Sequence, residues 1–114
     1  MGTTGTGKFE DYGSGKVEED RCDRAFGAEL EDVATSAFYR QRKGLPEAGT
    51  EVEIRVSKRV AVVTSDSGQE VGNLPTQFNY LRACINSGRQ YKGVVRSSAE
   101  RPLPRVSVDI APVA

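Results

Sequence analysis

Alternation of apolar and polar side chains is clearest in the second half of the chain. Val52, Ile54 and Val56 alternate with Glu51, Glu53 and Arg55, and Val106, Val108 and Ile110 alternate with Ser107 and Asp109. A period of two places each set on one face, so both segments predict half-buried strands. Val60 to Thr64 is a short apolar run that predicts another strand, and Ser65-Asp66-Ser67-Gly68 supplies the hairpin turn after it. Glu70-Val71-Gly72 starts the return strand, which Asn73-Leu74-Pro75 cuts off. Gln90 to Ser97 predicts a further strand, with Tyr91, Gly93 and Val95 opposite Lys92, Val94 and Arg96, and Pro102 and Pro104 mark a loop over 98–104.

Helical spacing enters in two places. Thr76 is positioned to cap a helix of about Gln77 to Asn86, with Tyr80, Leu81, Cys84 and Ile85 inward and Ser87-Gly88 ending it. Residues 20–43 fit two patterns. Phe26, Leu30, Val33, Ala34, Ala37 and Phe38 share one helical face, with Arg40, Arg42 and Lys43 suiting the negative helix end. Phe26, Ala28 and Leu30 are equally the alternate residues of a strand, with Gly27 weakening a helix and a short helix following from Ser36 to Arg42. Both readings stay open. The predicted class is α+β, mainly β: a small barrel or rolled antiparallel sheet of about five to six strands with one short internal helix. Residues 20–114 form that single domain behind a flexible arm over 1–19, where only Phe9, Tyr12 and Val17 are larger apolar groups.

Composition narrows the chemistry. The chain has 114 residues, enough for one domain with a modest core. No apolar run approaches the roughly 18 residues of a membrane span, and the start MGTTGTGKFEDY has no apolar leader segment, so a cytoplasmic protein with no membrane partner is expected. Met1-Gly2 with Thr6 fits the loose myristoylation pattern, without a second anchor. There is no histidine, and the two cysteines, Cys22 and Cys84, form no CxxC pair, which argues against zinc and against the usual activated nucleophiles. Reduced thiols are the default in a cytosolic protein, with a Cys22–Cys84 contact or disulfide as the alternative. Gly2 to Lys8 matches GxxxxGK, but no strand precedes it and Phe9 follows, so a phosphate loop is not expected. The carboxylates at Glu18, Glu19, Asp20, Asp23, Glu29, Glu31 and Asp32 read as a solvated face rather than a catalytic pair. A non-enzymatic protein with no cofactor and no metal is the expectation.

Net charge is zero, yet it is split along the chain. Residues 1–53 carry 7 Lys/Arg against 12 Asp/Glu, whereas residues 54–105 carry 9 against 3. Such a split suggests an anionic partner, or an acidic segment folding back on a basic module. Barrels that hold single strands set aromatic faces under bases and cations along phosphates. The nucleic-acid-binding candidates are therefore Arg59, Arg82, Arg89, Tyr91, Lys92 and Arg96, while Phe78 and Tyr80 are expected beside the helix in the core. The alternative is a protein-interaction or accessory module without chemistry of its own.

The strand VEIRV, the segment VAVVTSDSGQEVGNLP, the helix LRACI, Gly88, the strand QYKGVV and the closing VSVDI together resemble a HIRAN-type domain over about half of the chain. That resemblance implies an OB-like barrel and, by analogy with helicase-family remodelers, a ligand in single-stranded DNA ends. Where the family typically carries an Asn-Pro-x-Asp-like turn, this chain has Ser57-Lys58-Arg59. Fold and ligand class are thus what the resemblance implies, and no specific site residue.

Overall fold

The computed structural model describes residues 21–113. The arm expected over 1–19, with its GxxxxGK match and its myristoylation pattern, lies outside the described residues. Six strands form one antiparallel sheet rolled into a half-barrel: β1 (Phe26–Glu29), β2 (Glu51–Val56), β3 (Val60–Thr64), β4 (Glu70–Asn73), β5 (Tyr91–Ala99) and β6 (Arg105–Pro112), in the order β1-β6-β5-β2-β3-β4. The described residues 21–43 resolve to the strand reading. Phe26, Ala28 and Leu30 alternate along the sheet, a 3-10 turn follows at Val33–Thr35, and helix α1 occupies Ala37–Arg42. Ser36 caps α1 by accepting the Tyr39 amide at 3.2 Å.

The second helix is shorter than its spacing suggests. A 3-10 turn at Thr76–Phe78 leads into α2, Leu81–Asn86, and no side chain caps either start. Pro75 occupies the position before the turn, so Thr76 already belongs to the helical path and does not cap it. Leu81 and Cys84 are buried, as expected, and Phe78 stacks on Phe26 at 4.7 Å between ring centroids. Among the described residues no helix is long and apolar enough to cross a membrane.

The core lies inside the roll. Val52, Val60, Val62, Val71, Leu74, Leu81, Val95, Val106, Val108 and Ile110 are all essentially removed from solvent. Cross-strand register stacks them in rows: Phe26 faces Ile110, Ile110 faces Gly93, and Gly93 faces Val52. Gly93 is where this row tightens. A Cβ there would overlap the Asp109 carbonyl oxygen and stand 2.8 Å from Ile110 Cδ1. The absent side chain lets Ile110 cover the strand and lets β5 lie against β6. Two β-bulges bend the sheet further: Val71 is the extra residue on β4, and Arg96 the extra residue on β5.

The roll brings its own edges together. Leu30 donates to Val106 O at 2.8 Å on β6, while the next residue, Glu31, exchanges two hydrogen bonds with Asn73 at the end of β4, 2.7 and 2.8 Å. Gly72 makes room for this crossing, since a Cβ there would stand 2.9 Å from the Glu31 carbonyl oxygen and 3.0 Å from Leu30 Cβ. Overpacking of this kind costs about 1–3 kcal/mol, so Gly93→Ala should lower the melting temperature by roughly 5–20 °C in thermal unfolding followed by circular dichroism. A melting temperature unchanged by that substitution would show that β5 and β6 are not in tight contact there.

Candidate functional site

Each cation named from the sequence has a definite position. Arg59, at the end of the β2–β3 turn, donates from Nη2 to Glu31 Oε1 at 2.8 Å and to Leu74 O at 2.9 Å. Its Nη1 reaches Asp32 Oδ2 at 3.4 Å, and the same carboxylate accepts from Asn73 Nδ2 at 2.9 Å. Arg59 therefore clamps the place where the sheet edges meet. Arg82, on α2, donates to the carbonyls of Ser57 and Lys58, 2.9 Å to Ser57, and holds the β2–β3 turn. Arg96, on the β5 bulge, lies 3.4 Å from Asp109.

Arg89, Tyr91 and Lys92 come together. They line a groove of about 340 Å3 with Glu53, Ile54, Ile85 and Gln90, between the end of α2 and the start of β5. Arg89 is ion-paired with Asp23. Tyr91 is 3% exposed and donates its hydroxyl to Cys22 O at 2.7 Å, so its ring serves the core and offers no face for stacking. Burial raises the Tyr91 pKa above the usual tyrosine value, with the positive charge of Arg89 opposing. Lys92 points outward beside Glu53, its cross-strand neighbour, and has no ion-pair partner among the described residues.

Cys22 and Cys84 form a disulfide with a Cα–Cα distance of 5.6 Å. The expectation of two reduced thiols is corrected here: the segment entering β1 runs across α2, which brings together two residues 62 positions apart. The same segment sets the Arg21 guanidinium 4.0 Å over the Tyr80 ring. Nothing in a linear charge count signals this docking.

A second cluster was also hidden from the sequence. Tyr39 on α1 donates to Glu100 Oε1 at 3.2 Å, at the tip of the β5–β6 hairpin, and Glu100 also approaches Gly44. This bond lays the hairpin tip against the end of α1. Arg40, Arg42 and Lys43 at the end of α1 and Arg101 and Arg105 beside the hairpin tip are the cations of the two segments that this bond joins, and Arg42 also borders a groove that holds Glu47 and Asp66. Among the described residues none of these five cations has an ion-pair partner; Arg42 instead rests over the Phe38 ring, 5.1 Å from its centroid. The Glu100 hydrogen bond is the main cause of a raised Tyr39 pKa, because it is accepted from the neutral phenol. The Arg-Gln-Arg-Lys run at 40–43 was the available signal, but its pairing with residues 60 positions downstream is tertiary.

Comparison with protein-family models, with curated proteins and with solved structures gives no match for this chain.

Two outcomes follow from this geometry. Arg59→Ala leaves Glu31 and Asp32 side by side and removes a donor from Leu74 O, so unfolding should become easier by about 1–2 kcal/mol. Denaturant titration would read this as a lower midpoint, and an unchanged midpoint would remove the clamp role. The raised Tyr91 pKa means that its neutral form is favoured in the folded state. The stability it contributes is complete below the ordinary tyrosine value of about 10 and is lost as pH rises through the folded value. Melting temperature should therefore fall at alkaline pH, less steeply in Tyr91→Phe than in the parent protein.

Proposed function

We propose that this chain is a cytoplasmic, non-catalytic module that binds single-stranded nucleic acid, in keeping with its resemblance to HIRAN-type barrels. One observation carries the reading. The Tyr39–Glu100 hydrogen bond joins two distant segments that between them carry five cations, Arg40, Arg42, Lys43, Arg101 and Arg105, none of them ion-paired among the described residues. Gathering like charges costs energy unless an anion is brought to them, and a phosphate backbone is an extended anion of suitable spacing. Half-buried Phe38 and Tyr39 stand within the cluster and add aromatic surface for bases. Arg89 and Lys92 contribute a second, weaker patch, with Asp23 and Glu53 beside them. Arg59, Arg82 and Arg96 have partners within the fold, and Tyr91 is buried, so their part in this reading is to support the barrel.

Leu103 favours a second reading. It is 69% exposed at the hairpin tip, between Pro102 and Pro104, and an apolar side chain so presented suits a pocket on a protein partner.

Salt titration separates the readings. Micromolar affinity for a single-stranded oligonucleotide is expected at low salt, and log affinity should fall steeply with log salt. The triple variant Arg42→Gln, Lys43→Gln, Arg101→Gln removes three cations and should flatten that slope by roughly 2, at about 0.7 per phosphate contact on single strands. Absence of binding, or an affinity indifferent to salt, would overturn the nucleic-acid reading. Capture of a protein partner that is lost in Leu103→Ser would support the second.

A further inference from the structure

We infer that the Cys22–Cys84 disulfide is a site of thiol–disulfide exchange with a dithiol reductant, and that opening it releases residues 21–25 from the barrel while the sheet stays intact. This goes beyond the nucleic-acid reading and does not depend on it.

Access comes first. A cavity of about 130 Å3 opens on the disulfide, lined by Arg21, Cys22, Tyr80, Ala83 and Cys84. Cys84 is 2% exposed, whereas Cys22 is only partly covered. A small thiol entering this cavity therefore meets Cys22 Sγ, with the Arg21 guanidinium at the wall to favour the attacking thiolate. The thiolate bonds to Cys22 Sγ as the Cys22–Cys84 bond breaks, and Cys84 leaves as a thiolate and takes up a proton. The second thiolate of the reductant then attacks its partner sulfur in the mixed disulfide. This closes an intramolecular disulfide in the reductant and expels Cys22 as a thiolate, which is protonated in turn. Two electrons pass to the protein, and the two protons lost by the dithiol end on the two cysteines.

The effect is local because of where the cysteines stand. Cys22 precedes β1 and Cys84 lies in α2, so no strand pair includes either residue. Between Arg21 and Ala25, the contacts to the barrel that remain after reduction include an exposed ion pair from Asp23 to Arg89, the stacking of Arg21 on Tyr80, the Cys22 carbonyl on the Tyr91 hydroxyl and the half-buried Cys22 side chain against the core. Exposed ion pairs and single stacking contacts hold a segment only weakly. From Phe26 onward the chain is secured by pairing with β6. The disulfide is thus the strong tether of a short segment that otherwise rests on the surface. Exposed disulfides are the labile, regulatory ones, which fits a bond that is reachable from a cavity and lies outside the strand ladders.

Limited trypsin digestion of the whole protein, quenched and read by mass spectrometry, tests this. Reduction with dithiothreitol should raise the cleavage rate after Arg21 and Arg24 by about tenfold or more, because cleavage reports the population of the opened segment. Cleavage after Arg55 and Arg96, inside the sheet, should stay the same. The double variant Cys22→Ser, Cys84→Ser should match reduced protein without any reductant, and re-oxidation of the parent should restore protection. Equal cleavage at Arg21 and Arg24 in both redox states would overturn the proposal. So would parallel acceleration at Arg55 and Arg96, since it would mean that reduction unfolds the sheet.

Discussion

Between Leu30 and Glu31 the chain leaves one edge of the sheet and joins the other, and the rest of the molecule is arranged around that step. Leu30 still donates to β6, while Glu31 is already paired with Asn73 on β4. An open six-stranded sheet would expose two rows of unpaired backbone groups. Here the roll brings β1 and β4 close enough for one bridge. The crossing needs backbone where a side chain would otherwise stand, which is why Gly72 sits opposite the Glu31 carbonyl. Asp32 then turns the chain in a left-handed conformation at φ 60°, with its carboxylate held by Asn73 and Arg59. Once the edges meet, Val71, Leu74, Leu30 and Val106 share one interior.

That closure also decides what the cations do. Arg59 is drawn to the two carboxylates that the crossing leaves together, and Arg82 is occupied with the carbonyls of the neighbouring turn. Three carboxylates of the acidic first half therefore pair with the basic second half, Asp23 with Arg89 and Glu31 and Asp32 with Arg59. Charge that looked available in a linear count is consumed in holding the roll shut. Among the described residues, the cations that escape this accounting include Lys92 and those at the far end, where Tyr39 and Glu100 join α1 to the hairpin.

Period-two alternation made β2 and β6 legible in the sequence, because one face of each meets the core and the other meets water, whereas β3 was legible as an apolar run and is buried along its whole length. The stretch from Phe26 was not decidable, since its apolar residues satisfy a period of 3.6 as well as a period of two. The choice falls to tertiary pairing: β1 gains a full ladder on β6, which a helix at that position would forgo. The uncapped start of α2 was similarly hidden, because Thr76 has the right side chain one residue too late. Among the site candidates, Tyr91 shares a face with Gly93 and Val95, so the alternation that predicts the strand also predicts a buried ring. The docking of Cys22 on Cys84 and of α1 on the hairpin tip depends on approaches between residues about 60 apart, and no local pattern encodes them.

The two ends of the barrel are thus held by different kinds of bond, and this separates their responses. The α1–hairpin end rests on one exposed hydrogen bond between a phenol and a carboxylate, with five cations on the two segments it joins. An anion bound there would meet cations that have no ion-pair partner among the described residues, and ionisation of Tyr39 would remove the donor that joins the two segments. At the α2 end the disulfide adds a covalent bond that water and salt do not weaken and that thiols do, beside the Asp23–Arg89 ion pair and the buried Leu81. Salt and polyanions therefore act on the cations of both ends, whereas reductants act on the second alone. A half-barrel whose core spans both ends keeps its shape under either change, because neither bond passes through the rows Phe26–Ile110–Gly93–Val52 that fill the roll.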